Sequence, residues 1–122
     1  YDKEVMSIYL KELNIKAYPI ALLTSSLSNK KADVLSTITD CFIINPDNDK
    51  AGNNSVEKDI KLLKTKVIEK SGRVKIGILK TPENVIGITN IKDIGDCYPI
   101  NKYVSNNILE QLNSGIIKLY KE

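Results

Sequence analysis

Apolar positions along this chain recur with two distinct periods. From about Asp2 to Asn14, Val5, Ile8, Tyr9, Leu10 and Leu13 fall at helical spacing with polar residues between them, which predicts an amphipathic helix. Tyr18 to Thr24 is a short, almost continuously apolar run, interrupted by Pro19 and followed by Ser25, Ser26 and Ser28. It predicts a buried strand feeding a polar loop. Val34, Leu35 and Ile38 share one side of a helix predicted over Lys30 to Ile38, and Thr39 to Asn45 supplies the next buried strand through Cys41, Phe42, Ile43 and Ile44. Beyond Gly52, Val56, Ile60, Leu63 and Val67 mark a helix over Ser55 to Lys70 with a Ser71-Gly72 stop. Val74, Ile76 and Ile78 alternate as a strand over Arg73 to Leu79, followed by an irregular stretch around Pro82, Gly87 and Gly95. A terminal helix is predicted near Val104 to Tyr120, with a break expected at Ser114-Gly115. Strict alternation of helix and strand predicts an α/β domain: an open, mainly parallel sheet flanked by helices.

Composition narrows the chemistry more than the fold. A chain of 122 residues without repeats or linkers suits a single domain, 1–122. There is no histidine, which excludes an imidazole base, a Ser-His-Asp or Cys-His dyad and a His-ligated zinc. Cys41 and Cys97 form no Cys-x-x-Cys pair, so both are expected as reduced thiols, Cys41 buried. A net charge of +3 tolerates a polyanionic partner without announcing one. The longest apolar runs are far below the roughly 20 residues that span a bilayer, so no membrane association and a cytoplasmic setting, bacterial or that of a phage-infected host, are expected.

The remaining candidates for chemistry are carboxylates and lysines. Asp47-Asn48-Asp49-Lys50-Ala51-Gly52 stands where an apolar strand ends and a helix is about to begin, the edge at which open α/β sheets bind ligands. Two carboxylates at i, i+2 can turn toward one Mg²⁺, which takes one or two carboxylates with waters and phosphate oxygens. Ala51-Gly52 would let the backbone pass close to a phosphate at the helix start. A helix-capping turn would use the same residue types. An EF-hand loop counted from Asp47 is excluded by Ala51 and Lys58 at its fifth and twelfth positions. A phosphatase Asp-x-Asp loop, which carries Thr or Val two residues after its second Asp, is disfavoured by Ala51. Lys92-Asp93-Ile94-Gly95-Asp96 would reach the same edge: Lys92 could neutralise phosphate, Asp93 or Asp96 could face a metal, and Gly95 would permit a tight turn. A solvated surface turn is the alternative. Lys58, Lys61, Lys64 and Lys66 line the outer face of the Ser55 to Lys70 helix, with Glu57 and Lys61 at ion-pair spacing. The six tyrosines are scattered, as packing residues would be.

Together these motifs resemble the Toprim domain of DnaG-type and phage-type DNA primases, from Asp2 to about Tyr98. Asp47-x-Asp49-x-Ala51-Gly52 after an apolar strand is similar to the family's Asp-x-Asp motif, and Ala21-Leu22-Leu23-Thr24-Ser25-Ser26-Leu27-Ser28 resembles the loop that primases write as Gly-Thr-Ser-Leu-Thr, with Thr24 in place of the glycine. Lys92-Asp93-Ile94-Gly95-Asp96 looks like the third motif of phage-type primases and primase-helicases. Asp2 aligns with the Asp of the family's Glu-Gly-x-x-Asp, whose catalytic Glu would precede residue 1; Glu4, inside the first helix, does not replace it. The chain is therefore expected to be a fragment lacking the first strand and its Glu, with a degenerate domain as the alternative. The resemblance implies Mg²⁺-dependent nucleotidyl transfer making RNA primers on single-stranded DNA. Mg²⁺ or Mn²⁺ would be held by Asp47, Asp49 and Asp96, Lys92 would neutralise the triphosphate, and the partners would be single-stranded DNA, NTPs and a replicative helicase. A Toprim nuclease or topoisomerase domain, or a non-catalytic module binding nucleic acid or a replication partner, would share these motifs.

Overall fold

A computed structural model describes residues 1–16 and 27–116, with residues 50–53, 115 and 116 described in backbone only. The strand predicted over Tyr18 to Thr24, most of the Ala21 to Ser28 loop and the end of the last helix at Tyr120 lie outside the described residues. The elements are α1 (Asp2–Glu12), α2 (Asn29–Ile38), β1 (Cys41–Ile44), α3 (Lys50–Ser71), β2 (Lys75–Ile78), a short 3₁₀ turn (Ile94–Cys97) and α4 (Lys102–Gln111), which runs on into a π turn (Leu112–Ile116).

β1 and β2 pair in parallel, Cys41 opposite Lys75 and Ile44 opposite Ile78, so α3 is the crossover helix of a βαβ unit. Lys75 N–H to the Asp40 carbonyl and Leu79 N–H to the Ile44 carbonyl, both 2.8 Å, extend the ladder at each end. Among the described residues the sheet has these two strands. Its helices flank it as the alternating pattern requires.

Helix boundaries follow their caps. Ser28 Oγ accepts the Lys31 N–H at 3.1 Å, so α2 opens at Asn29, one residue ahead of expectation. Gly72, at φ +77°, supplies the left-handed residue that closes α3, its N–H bonding the Ile68 carbonyl at 3.0 Å. α3 buries Val56, Leu63 and Val67, the stripe that its sequence announces, and packs against α2. It begins at Lys50, not Ser55. Ala51-Gly52 therefore lies in the first helical turn, where no loop passes a phosphate.

The main core gathers Val5 and Tyr9 of α1, Leu79, Ile91, Ile94 and Cys97 of the segment after β2, and Val104, Ile108 and Leu112 around α4, with Ile43 of β1 packed against them. Tyr9 is fully buried; its hydroxyl donates to the Cys97 carbonyl at 2.6 Å and accepts the Asn101 N–H at 2.9 Å, tying α1 to the turn that carries the second acidic motif. Tyr1 and Tyr98 are exposed and do not pack inside. Neither cysteine is in a disulfide, but the buried one is Cys97, its thiol pushed up to about 11 by burial and then by the charges of Asp96 and Asp93. Cys41 is half-buried because β1 is covered only in part. Lys58, Lys61 and Lys64 are exposed, Lys66 is half-buried, and the expected Glu57–Lys61 pair is not among the ion pairs of the described residues. No helix among the described residues is long and apolar enough to cross a membrane.

Candidate metal centre

The chain leaves β1 at Asn45 and meets Pro46, which has no N–H to continue a ladder. Two asparagines then fix the turn. Asn45 Nδ2 donates to the Leu79 carbonyl at 2.8 Å and to Thr81 Oγ1 at 3.0 Å. Asn48 Nδ2 donates to the carbonyls of Thr81 at 2.8 Å and Ile91 at 3.0 Å, while the Asn48 backbone N–H bonds the Lys92 carbonyl. Asp47 sits between these two attachments. Asp49 directly precedes α3, where the positive end of the helix dipole favours a carboxylate.

The second motif folds on itself. Asp93 caps the 3₁₀ turn, its Oδ1 accepting the Asp96 N–H at 3.2 Å, and Asp96 Oδ2 accepts the Lys92 N–H at 2.8 Å. Gly95 is buried against α1, where its N–H donates to Asp2 Oδ1 at 3.2 Å. A Cβ on Gly95 would press into that Asp2 oxygen and lie 2.8 Å from Tyr1 Cδ2 and 3.1 Å from Asp93 Oδ1. Its φ is unexceptional, so close approach explains the glycine.

These two loops and the start of α1 bring one carboxylate oxygen each from Asp2, Asp47 and Asp93 within 4.8 Å of one another. Of the residues expected to hold a metal, Asp47 belongs to this group. Asp96 does not, because its carboxylate turns back onto the Lys92 N–H, and Asp93 takes the place facing Asp47. Asp49 also stays outside the trio, although its charge acts on Asp47. Lys92 is exposed and enters the site through its backbone, giving its N–H to Asp96 and its carbonyl to Asn48. Asp2 and the two asparagines had no place in the expected ligand set; the signal for Asp2 was its alignment with the Asp of the Glu-Gly-x-x-Asp motif, and for the asparagines a short amide side chain past a strand end, able to bond backbone carbonyls.

The charges that act on Asp47 and Asp93 are negative. Desolvation by the surrounding loops raises the Asp47 carboxyl above its ordinary value even though the side chain is exposed, and the negative charges of Asp93, Asp49 and Asp96 add to that. Asp93 is raised by burial and then by the charges of Asp2 and Asp96. At the opposite edge of the sheet Arg73 pairs with Asp40 at 2.9 Å and Lys70 with Asp33 at 2.8 Å. Three carboxylate oxygens this close together are hard donors of the kind that could hold a divalent cation such as Mg²⁺ or Mn²⁺. Compared with protein-family models, curated proteins and solved structures, the chain matches none.

Proposed function

We propose that this chain carries the catalytic Toprim-type centre of a DNA primase, a Mg²⁺-dependent nucleotidyltransferase that makes RNA primers from NTPs on single-stranded DNA. One observation supports this above others: Asp2, Asp47 and Asp93 converge at one sheet edge, and each comes from a segment that resembles a different motif of that family. When bound, Mg²⁺ or Mn²⁺ would neutralise nucleotide phosphate charge and stabilise the charge that develops on transfer. Asp2, Asp47 and Asp93 would hold it. Asp49 and Asp96 add negative potential around them, and the exposed Lys92 side chain is free to swing toward a triphosphate without leaving its loop.

Primer synthesis by the full-length gene product tests this directly. Asp47→Asn should lower synthesis at saturating Mg²⁺ by at least about 10²-fold, the scale for removing one preorganised charged group. Its melting temperature should be kept or raised. Near-normal synthesis would refute the assignment, and DNA cleavage without NTP incorporation would assign the centre to a Toprim nuclease or topoisomerase.

A further inference from the structure

Asn48 stands between the two aspartates of the first motif, and two of its three N–H donors cross to the segment that carries Asp93. The backbone N–H goes to the Lys92 carbonyl, and the side-chain amide spans the carbonyls of Thr81 and Ile91 at 2.8 and 3.0 Å. A carboxamide has two donors, and both are engaged. Ile91 and Lys92 are the two residues immediately ahead of Asp93, so two of the three bonds end on the backbone that delivers the opposing carboxylate, and the third ties the turn to Thr81 just past β2. Alanine would leave both carbonyls without these donors, and an ionised aspartate would face them with acceptors alone. Asn45 provides an internal contrast: its amide reaches Leu79 and Thr81 but not residues 91 and 92.

We propose that Asn48 is a positioning residue, tying the Asp47 turn to the backbone ahead of Asp93 and so setting the separation of two carboxylates that repel each other. Its functional consequence rests on the metal-binding role proposed above, while the mechanical part stands on the hydrogen bonds alone. The restraint acts like an outer-shell partner of a metal site, which touches no ion but keeps its ligands at one spacing.

The test compares the unaltered full-length protein with Asn48→Ala, Asn48→Ser and Asn45→Ala by Mn²⁺ titration followed by electron paramagnetic resonance, by amide hydrogen exchange at position 48 and by thermal melting. Mn²⁺ affinity should fall about tenfold or more in Asn48→Ala. It should fall less in Asn48→Ser, whose hydroxyl can serve one carbonyl, and least in Asn45→Ala. A purely structural asparagine would lower the melting temperature yet leave Mn²⁺ affinity of the folded protein unchanged, and that result overturns the proposal, as does an equal loss in Asn45→Ala. If the unaltered protein takes up no Mn²⁺, the proposed function fails, and hydrogen exchange decides the positioning role: about tenfold faster exchange at position 48 in Asn48→Ala sustains it, and unchanged protection overturns it. Should Asn48→Ala not fold, Asn48→Ser carries both measurements.

Discussion

Asp2 accepts the backbone N–H of Gly95 at 3.2 Å, joining the first turn of α1 to a loop 93 residues further along the chain. This contact explains why position 95 holds a glycine, since a Cβ there would occupy the space of the Asp2 carboxylate. Gly95→Ala should destabilise the fold by about 1–3 kcal/mol, the usual cost of forcing an extra methyl into a packed site. Asp2→Ala should relieve much of that loss. In a double-mutant cycle read by chemical denaturation, the two changes should couple by at least about 0.5 kcal/mol; strict additivity would place the clash elsewhere.

Tyr9 is the second long-range tie, and it lies wholly inside the core. Phenylalanine at this position would keep the packing but strand the Cys97 carbonyl and the Asn101 N–H. Tyr9→Phe should therefore cost about 1–3 kcal/mol in denaturant unfolding. No measurable loss would mean that water replaces the hydroxyl, and the core around α1 would then be looser than the structure shows.

The carboxylate cluster should weaken the fold at neutral pH. Asp47 and Asp93 both titrate above the ordinary value of 3.8, so the folded chain holds these protons more tightly than the unfolded one. Their stabilising contribution is fully present below about pH 3.8 and is lost as pH rises through the raised values. Asp33 runs the other way, lowered by its hydrogen bond and charge pairing with Lys70, so the comparison must be made between variants and not along one pH curve. Asp47→Asn without divalent ions should melt roughly 2–3 °C higher than the unaltered protein at pH 7, a small gain because an exposed carboxylate is screened to about 0.5 kcal/mol. The gain should vanish near pH 3.5, where the raised carboxyls are already protonated, and an equal gain at both pH values would rule out charge as its cause.

Regular elements were legible wherever packing repeats locally. Val56, Leu63 and Val67 announced the buried stripe of α3, and Cys41 to Ile44 announced β1, because the period of an apolar pattern survives any tertiary arrangement. The start of α3 was not legible. Gly52, Asn53 and Asn54 are weak helix formers, yet the helix runs through them from Lys50. The site was half legible for a related reason: Asp47 stands at a strand end that can be read locally, whereas Asp2 is placed by a bond across 93 residues and Asn48 by carbonyls 33 and 43 residues away. Choosing between Asp93 and Asp96 depended on one hydrogen bond. With Asp96 closed onto the Lys92 N–H, Asp93 is the carboxylate of this loop that joins Asp2 and Asp47.

If Asp2, Asp47 and Asp93 form one divalent-cation site, an NMR titration with Mg²⁺ followed residue by residue will show it. Saturable shifts should concentrate at residues 2, 47–49 and 92–96, with binding in roughly the high-micromolar to millimolar range expected of an open, water-accessible carboxylate site, and should be lost in Asp47→Asn. Shifts spread evenly over the acidic surface, or shifts that persist in Asp47→Asn, would contradict it.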